Sequence, residues 1–255
     1  MKFAVVGDPI AHSKSPQMHM AAFAALGMSH TYEAVQANHD ELAAVVGRLR
    51  SGELAGLNVT VPHKVRILEL VDVVAPSAAA AGAANTLVRD AEGRIMAHNT
   101  DVHALTLEVS RLLPNEGAAL VLGTGGASRA AVAALRGSMG YARVLVRGRP
   151  LTPDPSVERH VALIVQTTSC GMTGADPGEI VRDGVAWDAL PKTAVVLDIV
   201  YSPPETPLLA EARRRGLRCA NGLGMLARQG ALAFELWLGV PAPLAVMRAA
   251  LETMA

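Results

Sequence analysis

Four short polar segments in the N-terminal half carry side chains that can bind a ligand and move a proton. Each lies at an end of a predicted strand. In an open sheet, ligands bind outside the carboxyl ends of the strands, so we expect the segments to converge. Their hydroxyls, amides, ammonium and carboxylate suit a substrate with several hydroxyls and an anionic group. The segments are Ser13-Lys14-Ser15, residues 58–64, Asn85-Thr86 and Asn99-Thr100-Asp101.

Lys64 and Asp101 are the two residues of these segments that suit the reduction of a carbonyl. That reaction needs a proton donor at the oxygen while a hydride reaches the carbon. A lysine serves when burial or neighbouring charges tune its ammonium, and a carboxylate beside it holds it and shares the proton. Any one polar segment is also what ordinary caps and turns contain. The occurrence of four favours a site with Lys64 and Asp101 as its catalytic pair.

A glycine-rich turn at residues 123–130 lies between a predicted strand and a predicted helix. It is a variant of the G-x-G-x-x-G pattern, because Ser128 stands where the third glycine belongs. Glycines let the backbone approach a pyrophosphate, and the start of the helix presents free N–H groups to it. A plain strand-to-helix turn is the alternative. We predict a dinucleotide site formed by Gly123, Thr124, Gly125, Gly126 and Ala127.

The sequence after the next strand indicates which dinucleotide is bound. An acidic residue there binds the ribose hydroxyls of NAD, whereas an arginine accommodates the phosphate of NADP. This chain has Arg147-Gly148-Arg149 and no acid. The guanidinium fork suits a phosphate dianion, so we predict NADP bound by Arg147 and Arg149. The alternative is that both arginines are exposed charges at the end of a strand.

Alternating strands and helices predict an α/β protein with mostly parallel sheets. The first expected helix starts at Ser15 as its N-cap and ends at Gly27. The second starts at Pro62 and carries Lys64. The third starts at Asp101 as its cap and ends near Leu113. Further helices are expected at 38–50, from the glycine turn to about 135, at 223–238 and at 241–254. The expected strands are 3–6, 32–35, 56–61, 85–88, 95–97, 118–122, 143–146, 162–165 and 194–199.

Composition excludes several classes of function. The chain has 255 residues, with 23 basic and 23 acidic side chains, so it lacks the basic surface of a nucleic-acid-binding protein. It has no apolar stretch of about 20 residues for a membrane span and no signal peptide. Cys170 and Cys219 fit no metal spacing, and nothing completes a zinc site around His98 and His103. We predict a cytoplasmic protein without a metal, as a monomer or homodimer.

A series of motifs along almost the whole chain resembles, in order, the shikimate dehydrogenase family. Unrelated dinucleotide-binding enzymes share only the glycine turn, so the set is specific. The matching motifs are residues 7–16, 58–64, 82–86, 99–101, 123–130, 168–172, 198–203 and 222–229.

The resemblance implies the reversible, NADPH-dependent reduction of 3-dehydroshikimate to shikimate in aromatic amino-acid biosynthesis. It implies Lys64 and Asp101 as the catalytic pair, and an α/β substrate domain (1–113 and 224–255) with a Rossmann-like NADP-binding domain (114–223) inserted before the C-terminal helices return. It also implies that Gly222 and Met225 line the nicotinamide side. The implied substrate contacts are Ser13, Ser15 and Tyr201 at the carboxylate, and Thr60, Asn85, Asp101 and Gln229 at the hydroxyls.

The chain departs from the family after the second strand of the cofactor domain. Members often have Asn-Arg-Thr there, and only Arg147 matches. The segment 147–161 is short and rich in proline, so we expect a thin wall beside the adenine and weaker NADP binding than in a full-length relative. Met20 stands where the family tends to have a polar residue. Two alternatives stay open: a quinate/shikimate dehydrogenase with relaxed substrate or cofactor choice, and a non-catalytic ligand sensor.

Overall fold

The computed structural model describes residues 1–252. It confirms the predicted α/β class. The strands are β1 (Lys2–Gly7), β2 (Thr31–Gln36), β3 (Gly56–Val59), β4 (Val73–Val74), β5 (Thr86–Arg89), β6 (Ile95–His98), β7 (Ala118–Leu122), β8 (Val144–Arg147), β9 (Val161–Gln166), β10 (Val195–Asp198) and β11 (Arg218–Ala220). The α-helices are α1 (Ser15–Ala25), α2 (Leu42–Arg50), α3 (Pro76–Ala81), α4 (Thr100–Leu112), α5 (Gly126–Ala133), α6 (Pro155–Glu158), α7 (Glu179–Asp183), α8 (Pro207–Arg214), α9 (Leu223–Leu238) and α10 (Leu244–Glu252).

The chain divides into two compact units. The first comprises residues 1–103 and the segment that starts at Leu226, and the second comprises residues 104–225. The sequence predicts boundaries at 113/114 and 223/224, whereas the divisions of the structure fall at 103/104, inside α4, and at 225/226, inside α9. Both helices therefore start in one unit and end in the other.

The first unit is built on a six-stranded sheet with the order β2-β1-β3-β5-β6-β4. β1 pairs in parallel with β2 and β3, and the predicted hairpin of β5 and β6 introduces antiparallel pairing. β3 is buried along its whole length. α2 buries the four apolar residues whose spacing predicted it, namely Leu42, Val45, Val46 and Leu49. Each such side chain contributes about 1.5–3 kcal/mol when fully buried.

The second unit is built on a five-stranded parallel sheet with the order β11-β10-β9-β7-β8. β7, β9 and β10 are buried along their whole length, as expected for parallel strands covered by helices on both faces. Parallel order brings the carboxyl ends of the strands to one edge of the sheet. The glycine turn after β7 therefore lies at the edge where β8 and β9 also end.

Several predicted helix boundaries are wrong, and side-chain hydrogen bonds explain most of them. Ser15 is not the N-cap of α1 but lies within its first turn, and its N–H donates to Ser13 Oγ at 3.3 Å. α2 begins at Leu42 instead of 38, because Asn38 Oδ1 accepts the N–H groups of residues 40 and 41 and closes a turn. Asn99 rather than Asp101 caps α4, since its Oδ1 accepts the N–H of Val102 at 3.2 Å.

Lys64 lies in a turn and not in the predicted helix. β3 ends at Val59, residues 61–65 form turns, and a 3₁₀ helix follows at Arg66–Leu70. α10 begins at Leu244 instead of 241, and its predicted end at Met254 lies outside the described residues. No prediction gave bounds for β4, α3, α6, α7, α8 or β11, which span two to eight residues each. Within residues 1–252, no helix is both long and apolar enough to cross a membrane.

Candidate active site

Lys64 and Asp101 form a largely buried ion pair in the first unit. The Lys64 ammonium donates to Asp101 Oδ2 at 2.7 Å, and the two side chains are 13% and 3% exposed. Two contacts fix the turn that carries Lys64. The backbone carbonyl of Lys64 accepts the N–H of Ala84 at 2.7 Å, and the ring of the neighbouring His63 contacts the Ala37 carbonyl at 2.7 Å. Asp101 lies in the first turn of α4, where the helix dipole favours a negative charge.

The side-chain amide of Asn85 holds Asp101 from the other side. Its Nδ2 donates to Asp101 Oδ1 at 2.9 Å and to Thr100 Oγ1 at 2.9 Å. Its Oδ1 accepts the N–H of Thr100 at 2.8 Å, and Gln229 Oε1 lies 3.4 Å from Nδ2. With one carboxylate oxygen bound to Lys64 and the other to Asn85, Asp101 has a single orientation.

A second layer of buried polar side chains orients Asn85. Tyr32 Oη donates to Asn58 Oδ1 at 2.7 Å, and Asn58 Nδ2 donates to the Asn85 carbonyl and to Thr86 Oγ1, each at 3.0 Å. Thr86 Oγ1 in turn donates to Asn85 Oδ1 at 3.1 Å. Burial raises the pKa of Tyr32 well above its usual value, so its hydroxyl stays a donor. Asn58, Thr86 and Thr100 belong to the polar segments found in the sequence but were assigned no individual role there, and Tyr32 was not selected at all. Asparagine is unusual inside a strand, so Asn58 could have indicated this second layer.

The predicted substrate residues Ser13, Ser15 and Thr60 belong to the same unit as the pair. Ser13 and Ser15 lie at the start of α1. Thr60 directly follows β3, and a Cβ on Gly7 would lie 2.5 Å from Thr60 Cγ2. Gly7 therefore lets the ends of β1 and β3 approach closely. The roles of these hydroxyls toward a substrate stay predictions.

The glycine turn of the second unit was predicted to hold the pyrophosphate of a dinucleotide. Gly123 has φ +121°, and a Cβ there would lie 2.5 Å from Thr167 Oγ1, so only glycine fits. A Cβ on Gly125 would meet nothing within 4 Å, which leaves open space for a phosphate. Ser128, the departure from the glycine pattern, donates from its buried hydroxyl to the Gly123 carbonyl at 2.8 Å and fixes the turn. The turn fits the predicted pyrophosphate site.

Arg147, at the end of β8, and Arg149, which follows it, have different surroundings. Arg147 donates from Nη1 to Glu158 Oε1 at 2.6 Å and to the Gly184 carbonyl at 2.9 Å. Arg149 is exposed and donates from Nη2 to the sulfur of Cys170 at 3.2 Å. Sequence reasoning missed Glu158, and no spacing rule linked it to Arg147.

The remaining predicted site residues of the second unit are Tyr201, Gly222 and Met225. Tyr201 lies shortly after β10. Gly222 donates its N–H to the Val200 carbonyl at 3.0 Å, and a Cβ there would overlap the Ile199 carbonyl oxygen. Packing against backbone therefore explains this glycine before any ligand is considered. Met225 is buried in the first turn of α9. Their contacts with substrate or cofactor stay predictions.

Two family models match the chain at its ends. Residues 5–87 match the shikimate dehydrogenase substrate binding domain, and residues 222–252 match the shikimate 5'-dehydrogenase C-terminal domain. Both matches include residues of the first unit, and the first contains Lys64 and Asn85.

Curated and solved relatives match the chain over nearly its whole length. The shikimate dehydrogenase (NADP(+)) of Thermosynechococcus vestitus is 39% identical over 98% of this chain and 94% of its own length. The shikimate 5-dehydrogenase of Thermus thermophilus, solved in complex with NADP(H) and shikimate, is 34% identical with a TM-score of 0.84 over 100% of both chains. The Aquifex aeolicus shikimate dehydrogenase is 32% identical with a TM-score of 0.87, over 98% of this chain and 97% of that one. With its paired lysine and aspartate and its glycine turn, the chain belongs to the shikimate dehydrogenase family.

Proposed function

We propose that this chain is an NADP-dependent shikimate dehydrogenase, which catalyses the reversible reduction of 3-dehydroshikimate to shikimate in aromatic amino-acid biosynthesis. The observation that carries the proposal is the 2.7 Å contact between Lys64 Nζ and Asp101 Oδ2, with Asn85 bound to the other oxygen of the carboxylate. Relatives that share about 40% of their residues over nearly the full chain carry the same activity in their names.

Lys64 is the proton donor in the proposed mechanism. In the direction of reduction, its ammonium gives a proton to the carbonyl oxygen, and in the direction of oxidation its amine takes the proton from the hydroxyl. NADPH supplies the hydride to the carbonyl carbon, and NADP⁺ accepts it in the reverse direction. Asp101 holds the Lys64 nitrogen in one place through both directions, because Asn85 fixes the carboxylate.

The other predicted residues bind the two reactants. Ser13, Ser15 and Tyr201 take the substrate carboxylate, and Thr60, Asn85 and Gln229 contact its hydroxyls. The turn at residues 123–127 takes the pyrophosphate, while Gly222 and Met225 line the nicotinamide. The open space at Gly125 supports the assignment of the turn, and the placement of Asn85 beside Asp101 supports that of Asn85.

The decisive experiment is a steady-state assay with 3-dehydroshikimate and NADPH, with NADH as the control cofactor. We expect turnover with NADPH and less with NADH. Lys64→Ala should lower kcat by about 10²–10⁴-fold, the usual contribution of a positioned proton donor, and leave NADP⁺ binding intact. Full activity of Lys64→Ala would contradict the mechanism. Faster turnover of quinate with NAD would instead favour a quinate dehydrogenase.

A sensor without catalytic activity has no need of a paired lysine and aspartate, so the geometry favours the enzyme.

The cytoplasmic location and the monomeric or homodimeric state stay predictions. So does the weaker binding of NADP, for which the segment 148–160 gives a physical reason: it contains only the four-residue α6.

A further inference from the structure

We propose that Arg149, and not Arg147, distinguishes NADP from NAD in this chain, because Arg147 already forms an ion pair with the carboxylate of Glu158. The inference rests on the NADP dependence proposed above and names the residue that carries it. Every contact that supports it lies inside the second unit.

Residues 147–149 lie at the place where dinucleotide-binding folds contact the 2′ group of the adenosine ribose. Arg147 ends β8 opposite Leu122 of β7, and its carbonyl accepts the N–H of Gly123 at 2.9 Å. A Cβ on Gly148 would lie 2.9 Å from Thr124 Cγ2. The segment is therefore in contact with the glycine turn. In dinucleotide-binding folds, the group at this place chooses between the ribose hydroxyl of NAD and the phosphate of NADP.

Arg147 is engaged by an internal carboxylate. Its two terminal nitrogens donate to the two oxygens of Glu158, at 2.6 and 3.2 Å, which is the fork-to-fork geometry of a strong arginine–carboxylate pair. Nη1 donates in addition to the Gly184 carbonyl at 2.9 Å. The Arg147 side chain is 13% exposed and that of Glu158 is 0% exposed.

Glu158 is itself held in place and does not leave Arg147 readily. Its Oε1 accepts the N–H of Ala186 at 3.2 Å and that of Asp154 at 3.4 Å. A phosphate dianion that approached Arg147 would meet this buried carboxylate and be repelled. Displacing the carboxylate would leave a buried charge without its partner, which is strongly unfavourable. The charges of Arg147 and Glu158 therefore cancel at the proposed phosphate site.

Arg149 is the remaining cation of the segment and is accessible. It is exposed, and no carboxylate of residues 1–252 forms an ion pair with it. Its bond to Cys170, which is buried just after β9, holds the guanidinium at the edge where β7, β8 and β9 end. Its other N–H groups can donate to a phosphate. One charge-assisted site of this kind gives about a tenfold or greater preference for the phosphorylated ligand.

The test measures binding by isothermal titration calorimetry of 2′,5′-ADP, which carries the phosphate of NADP, and of 5′-AMP, which lacks it. Arg149→Ala should raise the Kd of 2′,5′-ADP about tenfold or more and leave that of 5′-AMP unchanged. Arg147→Gln should lower the melting temperature but keep the ratio of the two Kd values. Arg143→Ala is the matched control, because it removes an exposed arginine just before β8, at the other end of the strand, and should change neither Kd.

The outcomes separate this inference from the proposed function. If the unmodified protein prefers 2′,5′-ADP and Arg149→Ala keeps that preference, the inference is wrong and the proposed function stands. Loss of the preference in Arg147→Gln with retention in Arg149→Ala would assign the phosphate to Arg147. An unmodified protein that binds both probes equally would overturn the NADP dependence and this inference together. If Arg147→Gln fails to fold, the Arg149→Ala titration still decides.

Discussion

At the scale of single residues, the amide of Asn85 connects the catalytic pair to the interior of the first unit. The side-chain Nδ2 of Asn85 donates to Asp101. The backbone carbonyl of Asn85 accepts a hydrogen bond from Asn58, and its side-chain Oδ1 accepts one from Thr86. Tyr32 completes the series through Asn58. Each member uses a buried polar atom, and a buried polar network is stable only when all its members are satisfied. Tyr32 therefore acts as a positioning residue for Asp101, although it does not contact it.

Replacing Tyr32 by phenylalanine tests this role. Tyr32→Phe removes the hydroxyl that donates to Asn58 Oδ1, so this buried oxygen loses that hydrogen bond. The loss should lower the free energy of unfolding by about 1–3 kcal/mol. Because Asn85 then holds Asp101 less firmly, we expect kcat to fall severalfold while the KM for NADPH is unchanged. Tyr141→Phe, a half-buried tyrosine of the second unit, is the matched control. A loss of stability with unchanged kcat would make Tyr32 a structural residue only.

At the scale of elements, the sequence predicted the strands and helices whose apolar residues show the pattern of burial. The apolar runs of β1, β7 and β9 and the helical spacing in α2 and α9 have burial as their cause, and burial is visible in the sequence. The starts of α1, α2 and α4 depend on which of several neighbouring polar side chains accepts an N–H group, which spacing does not settle.

The site followed the same division. The position of the polar segments at strand ends predicted that those carrying Lys64, Asn85 and Asp101 converge, and the structure brings these three side chains together. The partnership of Arg147 with Glu158 depends on where the short α6 places Glu158, a tertiary contact without a local pattern. Sequence reasoning therefore found both arginines and gave them the same role.

The junction of β10 and α8 gives a prediction for stability against pH. Asp198 ends β10, and its carboxylate accepts the N–H of Val200 at 2.9 Å and the hydroxyl of Thr206 at 2.6 Å. Thr206 is the N-cap of α8. Burial raises the pKa of Asp198 to about 6, despite these two hydrogen bonds. Its folded pKa thus exceeds its unfolded value of about 3.9, so the stability it contributes is complete below pH 4 and is lost as the pH rises through 6.

Asp198→Asn should remove this dependence. Relative to the parent protein, the change in unfolding free energy between pH 5 and pH 7 should differ by about 1 kcal/mol. His19 acts in the opposite sense, because burial lowers its pKa to about 3. The comparison must therefore be made between variant and parent by chemical denaturation at each pH. Asp183→Asn is the control: Arg182 lowers the pKa of this exposed carboxyl, so it is ionised throughout the range. Parallel curves for Asp198→Asn and the parent would contradict the shift.

At the scale of the whole molecule, two units with separate cores allow the binding of the two reactants to be assigned separately. The polar residues proposed for the substrate, Tyr201 excepted, belong to the first unit, and the glycine turn with Arg149 belongs to the second. A ligand stabilises the folded state by RT ln(1 + [L]/Kd), which is about 2.7 kcal/mol at a concentration of 100 Kd. Stabilisation by each ligand therefore reports on the residues of its own site.

Shikimate and NADP⁺ should each raise the melting temperature of the parent protein, and single variants should remove these effects selectively. A tenfold loss of affinity lowers the stabilisation by about 1.4 kcal/mol, or a few degrees for a chain of this size. Ser15→Ala should lose stabilisation by shikimate and keep that by NADP⁺, while Arg149→Ala should do the opposite. Each variant is thus the control for the other, since an effect of general instability would lower both responses. If Arg149→Ala weakened the response to shikimate and Ser15→Ala did not, the assignment of substrate and cofactor to the two units would have to be reversed.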